Sequence, residues 1–567
     1  MVEWVSGLLG EGRGWRLFFL AVFLCIVSSS AFGVVRRLGD ASSHWMICSS
    51  ILYDRDLVYD VDRDLRRALE HRFDDLPSGI FLMRKGGRYV YAKSVHYAVF
   101  CAPFFLLLGG RGFLLANGLM FVGTALAVGS LVSRLRGVSG EHALLFALAC
   151  LLLSNFYALV YWIDPFVFLG FLLALSYYLW FSGRKAASGV VLGFASSYRF
   201  LEAPLLLPLL AWDLADGKLR DAAVVFASFA SVFSAVLAFN YVVFGSYAPY
   251  AAGVYYLTSL SECFDPATGV FDNCTLPLLP RALPGAKVIA YNVFYLFLGR
   301  KSGVLVYNLP ALLAFMSAAK GGRVERSIVV VCLLDLLALA VLRPTLYQGG
   351  YHTVGNRYFT FYPVLLLAAD LRRLDRRAVA AVLAASALLA APVNANPVMS
   401  SLEWRRVGYS YPYRAFPLEL TVLGLDYDLS GEGFVLHYAD LNSYMAEESG
   451  FWTRGGSEAV FIVRAVRRGK LFISLTNGLY RNAVEVSVGG ERRRVELGSF
   501  EGTTLEFEAE PELKYTSYWI YGRESRLAEI YVYTVRVRCT ASWIPALTGH
   551  GSDPRCLGVY VQVSVGG

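Results

Sequence analysis

Long apolar runs, broken by short clusters of charged residues, occupy residues 15–392. A helix needs about 20 apolar residues to cross the ~30 Å hydrocarbon layer of a bilayer. On that criterion we expect roughly eleven spanning segments, several of them shorter than a full span, in a polytopic α-helical membrane domain. They lie near residues 15–35, 112–132, 142–157, 163–181, 187–198, 200–212, 222–244, 302–319, 327–342, 358–369 and 378–392.

The segments on either side of Arg199 are among the shortest of this set. They are compatible with two tight helices or with one broken helix, because a cation at that depth interrupts the apolar pattern. Both interpretations stay open at this point.

From residue 393 onward the pattern changes to the alternation of a strand. Val484, Val486 and Val488 alternate with polar residues, and Gly489-Gly490 then turns the chain into a second strand, which predicts a hairpin. The sequence therefore predicts two domains, a membrane domain over 1–392 and an all-β domain over 393–567, which we expect to be a β-sandwich. Further strands are expected at 459–466, 471–475, 530–538 and 558–565.

Composition agrees with a membrane protein. Hydrophobic residues make up 56% of the chain and charged residues only 17%, against about 25% charged residues in soluble domains. The net charge of +8 comes from Lys and Arg in short loops between apolar segments. That placement indicates membrane orientation rather than nucleic-acid binding.

The basic loops also predict the topology. If they face the cytoplasm, the N-terminus is cytoplasmic, the protein is a multi-pass plasma-membrane protein, and the β domain is extracytoplasmic. Three long loops then face outward, over residues 36–111, 245–301 and 344–357. The first is rich in aspartate and in aromatic residues, and its segments 42–52 and 63–73 have helical spacing that predicts helices on the membrane surface.

Four of the nine cysteines form two short-range pairs in regions assigned to the outside. Cys263 with Cys274, and Cys539 with Cys556, are therefore expected to be disulfides in an oxidising compartment. The remaining cysteines lie in or beside apolar segments, where packing is the expected role.

Asp40 is the first candidate for chemistry because it follows the first apolar segment directly. A carboxylate at the outer interface can accept a proton from a hydroxyl while a lipid-borne partner lies nearby. It could equally be a helix cap, since Ser42 and Ser43 follow it.

A second group of candidates consists of cations at the outer ends of apolar segments. Several cations that converge would suit a phosphate leaving group, whose departure needs charge neutralisation. Each alone has a simpler explanation, such as snorkelling or a local pair of Arg199 with Glu202, but four on one face favour binding. They are Lys93, Arg199, Arg300 and Arg357.

The acidic residues of the first loop are weaker candidates. Asp54-Arg55-Asp56 has the form of the DxD motif of soluble sugar transferases, but no βα alternation surrounds it. Asp56 and Asp164, at an outer turn, are retained as accessory acids. Asp335, within a predicted span, is expected to be a buried hydrogen-bonding residue.

Together these residues resemble the membrane glycosyltransferases of the GT-C superfamily, especially the branch of the protein O-mannosyltransferases and the lipid A aminoarabinose transferase. Asp40 with His44–Leu52 is similar to the acidic motif and surface helix of that family. The family's lysine-bearing segment, its helix with a basic end and its glycine-arginine loop resemble Tyr91-Ala92-Lys93-Ser94, Gly193-Phe194-Ala195 before Arg199, and Gly349-Gly350 through Gly355-Asn356-Arg357-Tyr358.

The resemblance implies a transferase that moves a sugar, with inversion, from a polyprenyl phosphate to a glycan, lipid or protein acceptor outside the membrane. Asp40 would be the general base, and Lys93, Arg199, Arg357 and Arg300 would hold the donor phosphate. The family often has an acidic residue where this chain has Ala92, so the use of a divalent metal is left open.

Two other classes of function fit the residues. A transporter or flippase of lipid-linked glycans would have a similar set of spans, although such proteins place substrate near the midplane and commonly show repeats. A membrane-anchored structural or glycan-binding protein would act through its β domain. The polar residues crowd the outer interface, which favours the enzyme.

Overall fold

A computed structural model describes most of the chain. The predicted pair Cys263 and Cys274, and most of segments 15–35 and 63–73, lie outside the described residues. The described residues are 31, 39–60, 63–64, 67, 80–85, 87–245, 247, 255–257, 264–265, 270–271, 284–347, 349, 355–398, 407–422, 428–521 and 524–566.

The chain forms two compact units, and neither is continuous in sequence. Unit 1 comprises Met1–Leu279, Ser302–Leu339 and His352–Trp404, and unit 2 comprises Pro280–Lys301, Ala340–Tyr351 and Arg405–Gly567. Unit 1 is mainly helical and unit 2 carries the long strands. The predicted combination of a helical region with a β-rich C-terminal region is thus confirmed, while the boundary at 392/393 stays a prediction.

The helices are numbered here in chain order. They are α1 (Asp40–Tyr53), α2 (His96–Leu108), α3 (Arg111–Arg136), α4 (Gly140–Leu152), α5 (Asn155–Ala158), α6 (Phe166–Phe181), α7 (Lys185–Tyr198), α8 (Leu206–Ala215), α9 (Leu219–Phe244), α10 (Ala286–Leu298), α11 (Val304–Tyr307), α12 (Ala311–Lys320), α13 (Arg323–Leu342), α14 (Tyr362–Leu366), α15 (Arg376–Asn394) and α16 (Pro545–Thr548). Short 3₁₀ turns occupy Leu159–Tyr161, Phe200–Leu205, Leu371–Arg373 and Tyr413–Ala415.

Three helices of the described part are long and apolar enough to cross a membrane, namely α3, α9 and α15. The segment Gly140–Leu152 with Asn155–Tyr161 would be a fourth, bent by 72°. Shorter apolar helices include α2, α6, α10 and α12. The expectation of about eleven spans therefore stays a prediction.

Helix α1 corrects one expectation. Segment 42–52 is helical, but Ala41–Ser50 are all buried within the protein, so this helix is not the amphipathic surface helix that its spacing suggested. Its side chains pack on every face, and Trp45 is among the largest fully buried residues. A helix that is buried all round belongs to the core.

The segments around Arg199 form two helices. Helix α7 ends at Tyr198, Arg199 has an extended backbone, and a 3₁₀ turn leads into α8. Helix α7 lies very close to α9: a Cβ atom added at Gly189 would be only 2.3 Å from the Val225 carbonyl oxygen. One at Gly193 would be 2.6 Å from the Phe229 carbonyl oxygen. Small residues four apart permit this close packing of helices.

A small antiparallel sheet in unit 1 carries the Lys93 segment. Its strands are β1 (Val58–Tyr59), β2 (Ile80–Lys85), β3 (Arg88–Tyr91) and β4 (Tyr255–Leu257), in the order β1-β3-β2-β4. The backbone N–H of Phe81 in β2 donates to the Ser43 hydroxyl of α1 at 2.9 Å. The sheet is thereby fixed to α1. A separate pair consists of β5 (Phe264–Asp265) and β6 (Val270–Phe271).

Unit 2 contains two larger antiparallel sheets. Their strands are β7 (Leu429–Gly431), β8 (Phe434–Tyr438), β9 (Gly450–Arg454), β10 (Glu458–Ala465), β11 (Lys470–Asn477), β12 (Asn482–Val488), β13 (Glu491–Leu497), β14 (Gly502–Phe507), β15 (Leu513–Tyr521), β16 (Glu524–Cys539) and β17 (Leu557–Gly566). The seven-stranded sheet has the order β13-β12-β16-β10-β8-β7, with β15 also on β16, and the four-stranded sheet has the order β14-β11-β17-β9. Phe451 of the smaller sheet contacts Phe461 of the larger at 5.2 Å between ring centroids.

The hairpin predicted at Gly489-Gly490 is confirmed. Strands β12 and β13 pair in register from Asn482 opposite Leu497 to Val488 opposite Glu491. The residues of β12 alternate between buried and half-buried, so one face of the strand is directed into the core. The β-sandwich arrangement itself stays a prediction.

The predicted outer loop 245–301 contains a helix that the apolar count omitted. Helix α10 belongs to unit 2, and its Val288 shares a core cluster with Val435, Ile462 and Trp519. The Asn292 side-chain amide donates to the carbonyl oxygens of Ala340 and Pro344, each at 3.0 Å. These contacts make the helix part of the β-rich unit.

The predicted disulfide between Cys539 and Cys556 is wrong, because both thiols are free. The Cys539 sulfur is buried and donates to the Arg454 carbonyl oxygen at 3.5 Å. It also packs against Gly558, where a Cβ atom would be 2.5 Å away. The thiol is therefore packed within unit 2 rather than joined to Cys556.

Maleimide labelling tests this correction. Cys556 is half-buried, so we expect a maleimide to label it in the folded protein without reductant, with the site located by mass spectrometry. Cys539 should react far more slowly because it is 2% exposed. The Cys556→Ser variant is the control for the assignment. Labelling of Cys556 only after reduction would restore the disulfide.

Candidate active site

Asp40 opens α1, directly after Gly39, whose backbone has φ +61°. The residue in the cap position is Gly39, and the Gly39 carbonyl accepts hydrogen bonds from the Ser43 backbone and hydroxyl, each at 3.0 Å. The Asp40 carboxylate lies in the first turn, where negative charge is stabilised by the helix dipole. Its side chain makes ion pairs instead of acting as the cap.

Two cations hold the Asp40 carboxylate. Lys93, which follows β3, forms an ion pair with one oxygen through its Nζ, and its ammonium also lies 4.1 Å from the centre of the Phe81 ring. Arg357 binds the other oxygen, with Nη1 at 2.6 Å. The Asp40 side chain is 14% exposed and that of Lys93 5%. The structure thus brings together three of the residues that the sequence singled out.

The cations determine the charge state of Asp40. Burial opposes ionisation of the carboxyl, but the charges of Lys93 and Arg357 outweigh it and hold the pKa of Asp40 well below its usual range. Asp40 is therefore ionised at neutral pH. In this state it is a weak base, because its negative charge is already neutralised on both sides.

Asp164 completes this cluster. Its Oδ2 accepts from Arg357 Nη1 at 2.7 Å, and its Oδ1 accepts from the Phe166 backbone N–H at 3.0 Å, at the start of α6. The Arg357 guanidinium is thus shared by two carboxylates. The loop that carries Arg357 is fixed beside Asn155, whose amide donates to the Asn356 carbonyl at 3.4 Å.

Arg199 belongs to a neighbouring group of residues. Its Nη1 lies 3.4 Å from both Glu202 Oε1 and Thr360 Oγ1, so the local pair considered from sequence is present. Its guanidinium carbon also lies 4.4 Å from the centre of the Tyr358 ring, and the Arg357 carbon lies 5.9 Å from the same ring. Tyr358 therefore connects the two arginines.

His96 joins the segment of Lys93 to that of Arg199. Its Nε2 lies 3.0 Å from the Ser197 hydroxyl oxygen, and its Nδ1 is hydrogen-bonded to the Ser94 hydroxyl. Because Ser197 donates its own proton to the Phe194 carbonyl at 2.8 Å, Nε2 must be the donor to Ser197 and Nδ1 the acceptor from Ser94. One neutral tautomer of a buried histidine thus fixes both segments.

His44 lies one helical turn after Asp40 on the same face of α1. It is fully buried, its Nε2 lies 3.2 Å from the Tyr198 hydroxyl, and its Nδ1 has no hydrogen-bond partner in the described part of the chain. Burial lowers the pKa of His44 to about 3. A neutral imidazole therefore lies beside the charged cluster.

The structure does not bring every candidate to this cluster. Arg300 belongs to unit 2, where its guanidinium donates to the carbonyl oxygens of Arg414, Phe416 and Ala439. Asp56 accepts from Ser50, the Val58 N–H and Arg63 within the first loop. These contacts give both residues a structural role in the fold.

Asp335 departs from its expected role. It is 2% exposed, as expected of a buried residue, but neither carboxylate oxygen has a hydrogen-bond partner among the described residues. As to metals, no three His, Cys, Asp or Glu side chains of the described part lie close enough together to hold an ion.

Sequence reasoning missed the residues that support the cluster. The spacing of His44, four after Asp40 on a helix, could have identified it. Tyr358 adjoins Arg357 in sequence, whereas Thr360 gives no sequence signal because its contact with Glu202 crosses 158 positions. The hydrogen bond between His96 and Ser197 likewise gives no sequence signal, because the two residues are 101 positions apart.

Comparison with known proteins adds one distant likeness. No protein-family description and no curated protein matches the chain. The crystal structure of ArnT from Cupriavidus metallidurans bound to undecaprenyl phosphate is similar, with a TM-score of 0.43 and 15% sequence identity. The match covers 68% of this chain and 66% of that chain, just under two thirds of its length. This likeness is too distant for a function or a site to be transferred.

The double pairing of Arg357 makes a testable prediction about stability. Arg357→Gln should destabilise the protein by about 3 kcal/mol, because it leaves the carboxylates of Asp40 and Asp164 with less compensation in a buried place. Thermal unfolding of the purified protein in detergent measures the loss. Adding Asp164→Asn should recover part of it.

Arg323→Gln is the matched control. Its pair with Asp216 at 2.8 Å has side chains that are 50% and 42% exposed, so its loss should cost less than about 1 kcal/mol. An equally small effect of Arg357→Gln would mean that the cluster is not held by this arginine.

Proposed function

We propose that the protein is a glycosyltransferase that moves a sugar from a polyprenyl phosphate to a hydroxyl acceptor outside the membrane. The observation that carries the proposal is the nearly buried Asp40 carboxylate between two cations, Lys93 and Arg357, with Arg199 connected through Tyr358. A general base and a set of phosphate-binding cations are the parts that this reaction needs.

The donor phosphate would compete with Asp40 for the same cations. Arginine binds phosphate through paired hydrogen bonds, and lysine binds it as a point charge. As Lys93 and Arg357 turn to the phosphate, they neutralise Asp40 less, and its pKa rises toward its usual range. The carboxylate thereby becomes a better base only when donor is present.

In the transfer step, one bond to the anomeric carbon forms as another breaks. The acceptor oxygen attacks the anomeric carbon, its proton passes to Asp40, and the bond between that carbon and the phosphate oxygen breaks. The leaving phosphate keeps the electron pair, and the cations stabilise its new charge. Since a phosphate monoester has a second pKa near ~6, the proton can pass from Asp40 to the product and return the carboxylate to its paired state.

Asp164 would keep Arg357 in place during this exchange. It holds the guanidinium at 2.7 Å from the side of α6, so the arginine has a fixed partner when Asp40 releases it. We assign Asp164 this positioning role, and we assign Arg199 to the donor phosphate as a second contact. One base is enough for this reaction, unlike hydrolysis of a glycosidic bond, which uses two carboxylates.

Asp40→Asn tests the base. It keeps the shape of the side chain but cannot take a proton, so we expect transfer to fall by about 10²- to 10⁴-fold while donor still binds. The assay incubates purified protein with a panel of polyprenyl-phosphate sugars and follows release of polyprenyl phosphate. Asp56→Asn, the same change in the loop network, should leave the rate unchanged. A near-normal rate in Asp40→Asn would remove Asp40 from the mechanism.

The cations are tested through donor affinity. Lys93→Gln and Arg199→Gln should each weaken donor binding by about 10- to 100-fold, the loss of one charged hydrogen bond. Arg55→Ala, in the first loop, is the control and should bind normally. Donor titration by fluorescence or radiolabel measures the affinity. Equal affinity in all three variants would mean that Lys93 and Arg199 serve only the local ion pairs.

A further inference from the structure

Three rings of unit 2 form a triangle at the protein surface. The ring centroids of Phe500, Trp543 and His550 are 5.8, 5.9 and 6.0 Å apart. Trp543 is 9% exposed and forms the base, whereas Phe500 is 54% exposed and His550 is also exposed. We call these three residues the aromatic patch.

The base of the aromatic patch is fixed by a close approach. Trp543 lies directly against Gly478, where a Cβ atom would be 2.0 Å from the indole nitrogen. The Gly478 carbonyl also accepts from the Phe500 backbone N–H at 2.9 Å. The Trp543 side chain and the Phe500 backbone therefore both contact Gly478.

The backbone conformation of Phe500 is unfavourable for the stability of the fold. Its backbone has φ +54°, in the left-handed region that a bulky residue rarely adopts and that glycine adopts without strain. Phe500 is also more than half exposed to solvent. A strained residue that exposes an apolar ring is a candidate for binding, since neither property helps the fold.

His550 adds a directed polar group. Its Nδ1 lies 2.8 Å from the Thr548 carbonyl oxygen, and a carbonyl can only accept, so Nδ1 carries the proton. In the tautomer with one proton, on Nδ1, the other ring nitrogen, Nε2, is an acceptor. The aromatic patch thus offers an apolar ring face together with an acceptor for a hydroxyl.

This combination fits the chemistry of a neutral sugar. A pyranose has C–H groups that pack on an aromatic face and hydroxyls that donate at its rim.

We propose that the aromatic patch of unit 2 is a binding site for a neutral oligosaccharide, with one sugar ring stacked on Phe500 and a hydroxyl donated to His550. The site lies within unit 2 and does not depend on the transfer reaction proposed above. It would give the protein a saccharide-binding activity that persists when Asp40 is inactivated.

Phe500→Gly separates binding from stability. Glycine relieves the strain at this position, so the variant should unfold at a higher temperature than the original protein. It should bind saccharide about tenfold more weakly, the size expected for losing one aromatic contact. His550→Phe keeps a ring but removes the acceptor, and should also weaken binding.

Glu448→Gly is the matched control. Glu448 is exposed in unit 2 and also has a positive φ, of 45°, so glycine should raise its unfolding temperature similarly while binding stays unchanged. The full chain in nanodiscs is titrated with maltohexaose, cellohexaose and mannohexaose by calorimetry.

Three results would overturn the proposal. The original protein could bind none of these sugars at millimolar concentration. Phe500→Gly could bind them as tightly as the original. Thirdly, the protein in nanodiscs could bind vesicles of anionic lipid through Phe500 while no sugar competes, which would make the aromatic patch a membrane contact.

Discussion

A charge taken out of water needs an opposite charge close to it, and this requirement shapes the helical unit. Asp40, Lys93, Arg357 and Asp164 are each largely buried. Desolvation of any one alone would cost several kcal/mol. Together they compensate one another, so four parts of the chain must meet at one place. These are the start of α1, the segment after β3, the loop before α14 and the start of α6. The cluster therefore determines where four separate parts of the chain lie.

Neutral groups give this cluster its geometry. His96 connects the Ser94 and Ser197 hydroxyls, and Tyr358 lies between two guanidinium groups. The close packing of α7 on α9 at Gly189 and Gly193 sets the position of the helix that ends before Arg199. These contacts fix the segments that carry Lys93, Arg199 and Arg357.

The local pattern of apolar and charged residues predicted the β12–β13 hairpin and three members of the charged cluster. The alternation of Val484, Val486 and Val488 with a following Gly-Gly predicted the β12–β13 hairpin correctly, because both strands and the turn are encoded within a few residues. Charges at the ends of apolar runs identified Asp40, Lys93 and Arg357, since a buried charge is rare enough to be informative.

Other features depend on contacts that no local pattern encodes. The apolar face of Ala286–Leu298 gave no sign that it packs on a sheet rather than facing lipid or water. Cys539 and Cys556 are close in sequence, yet the Cys539 thiol is directed toward Arg454 and Gly558. Arg300 has the position of a phosphate ligand in the sequence, whereas three backbone carbonyls surround it in the fold.

Unit 2 is assembled from three stretches of chain, Pro280–Lys301, Ala340–Tyr351 and Arg405–Gly567. Helix α10 is therefore synthesised before the strands that cover Val288. Until those strands are made, its apolar face lacks its packing partners within unit 2. The same arrangement means that the strands of unit 2 cannot be exchanged for others without a matching change in α10, because Val288 of that helix shares their core with Val435, Ile462 and Trp519.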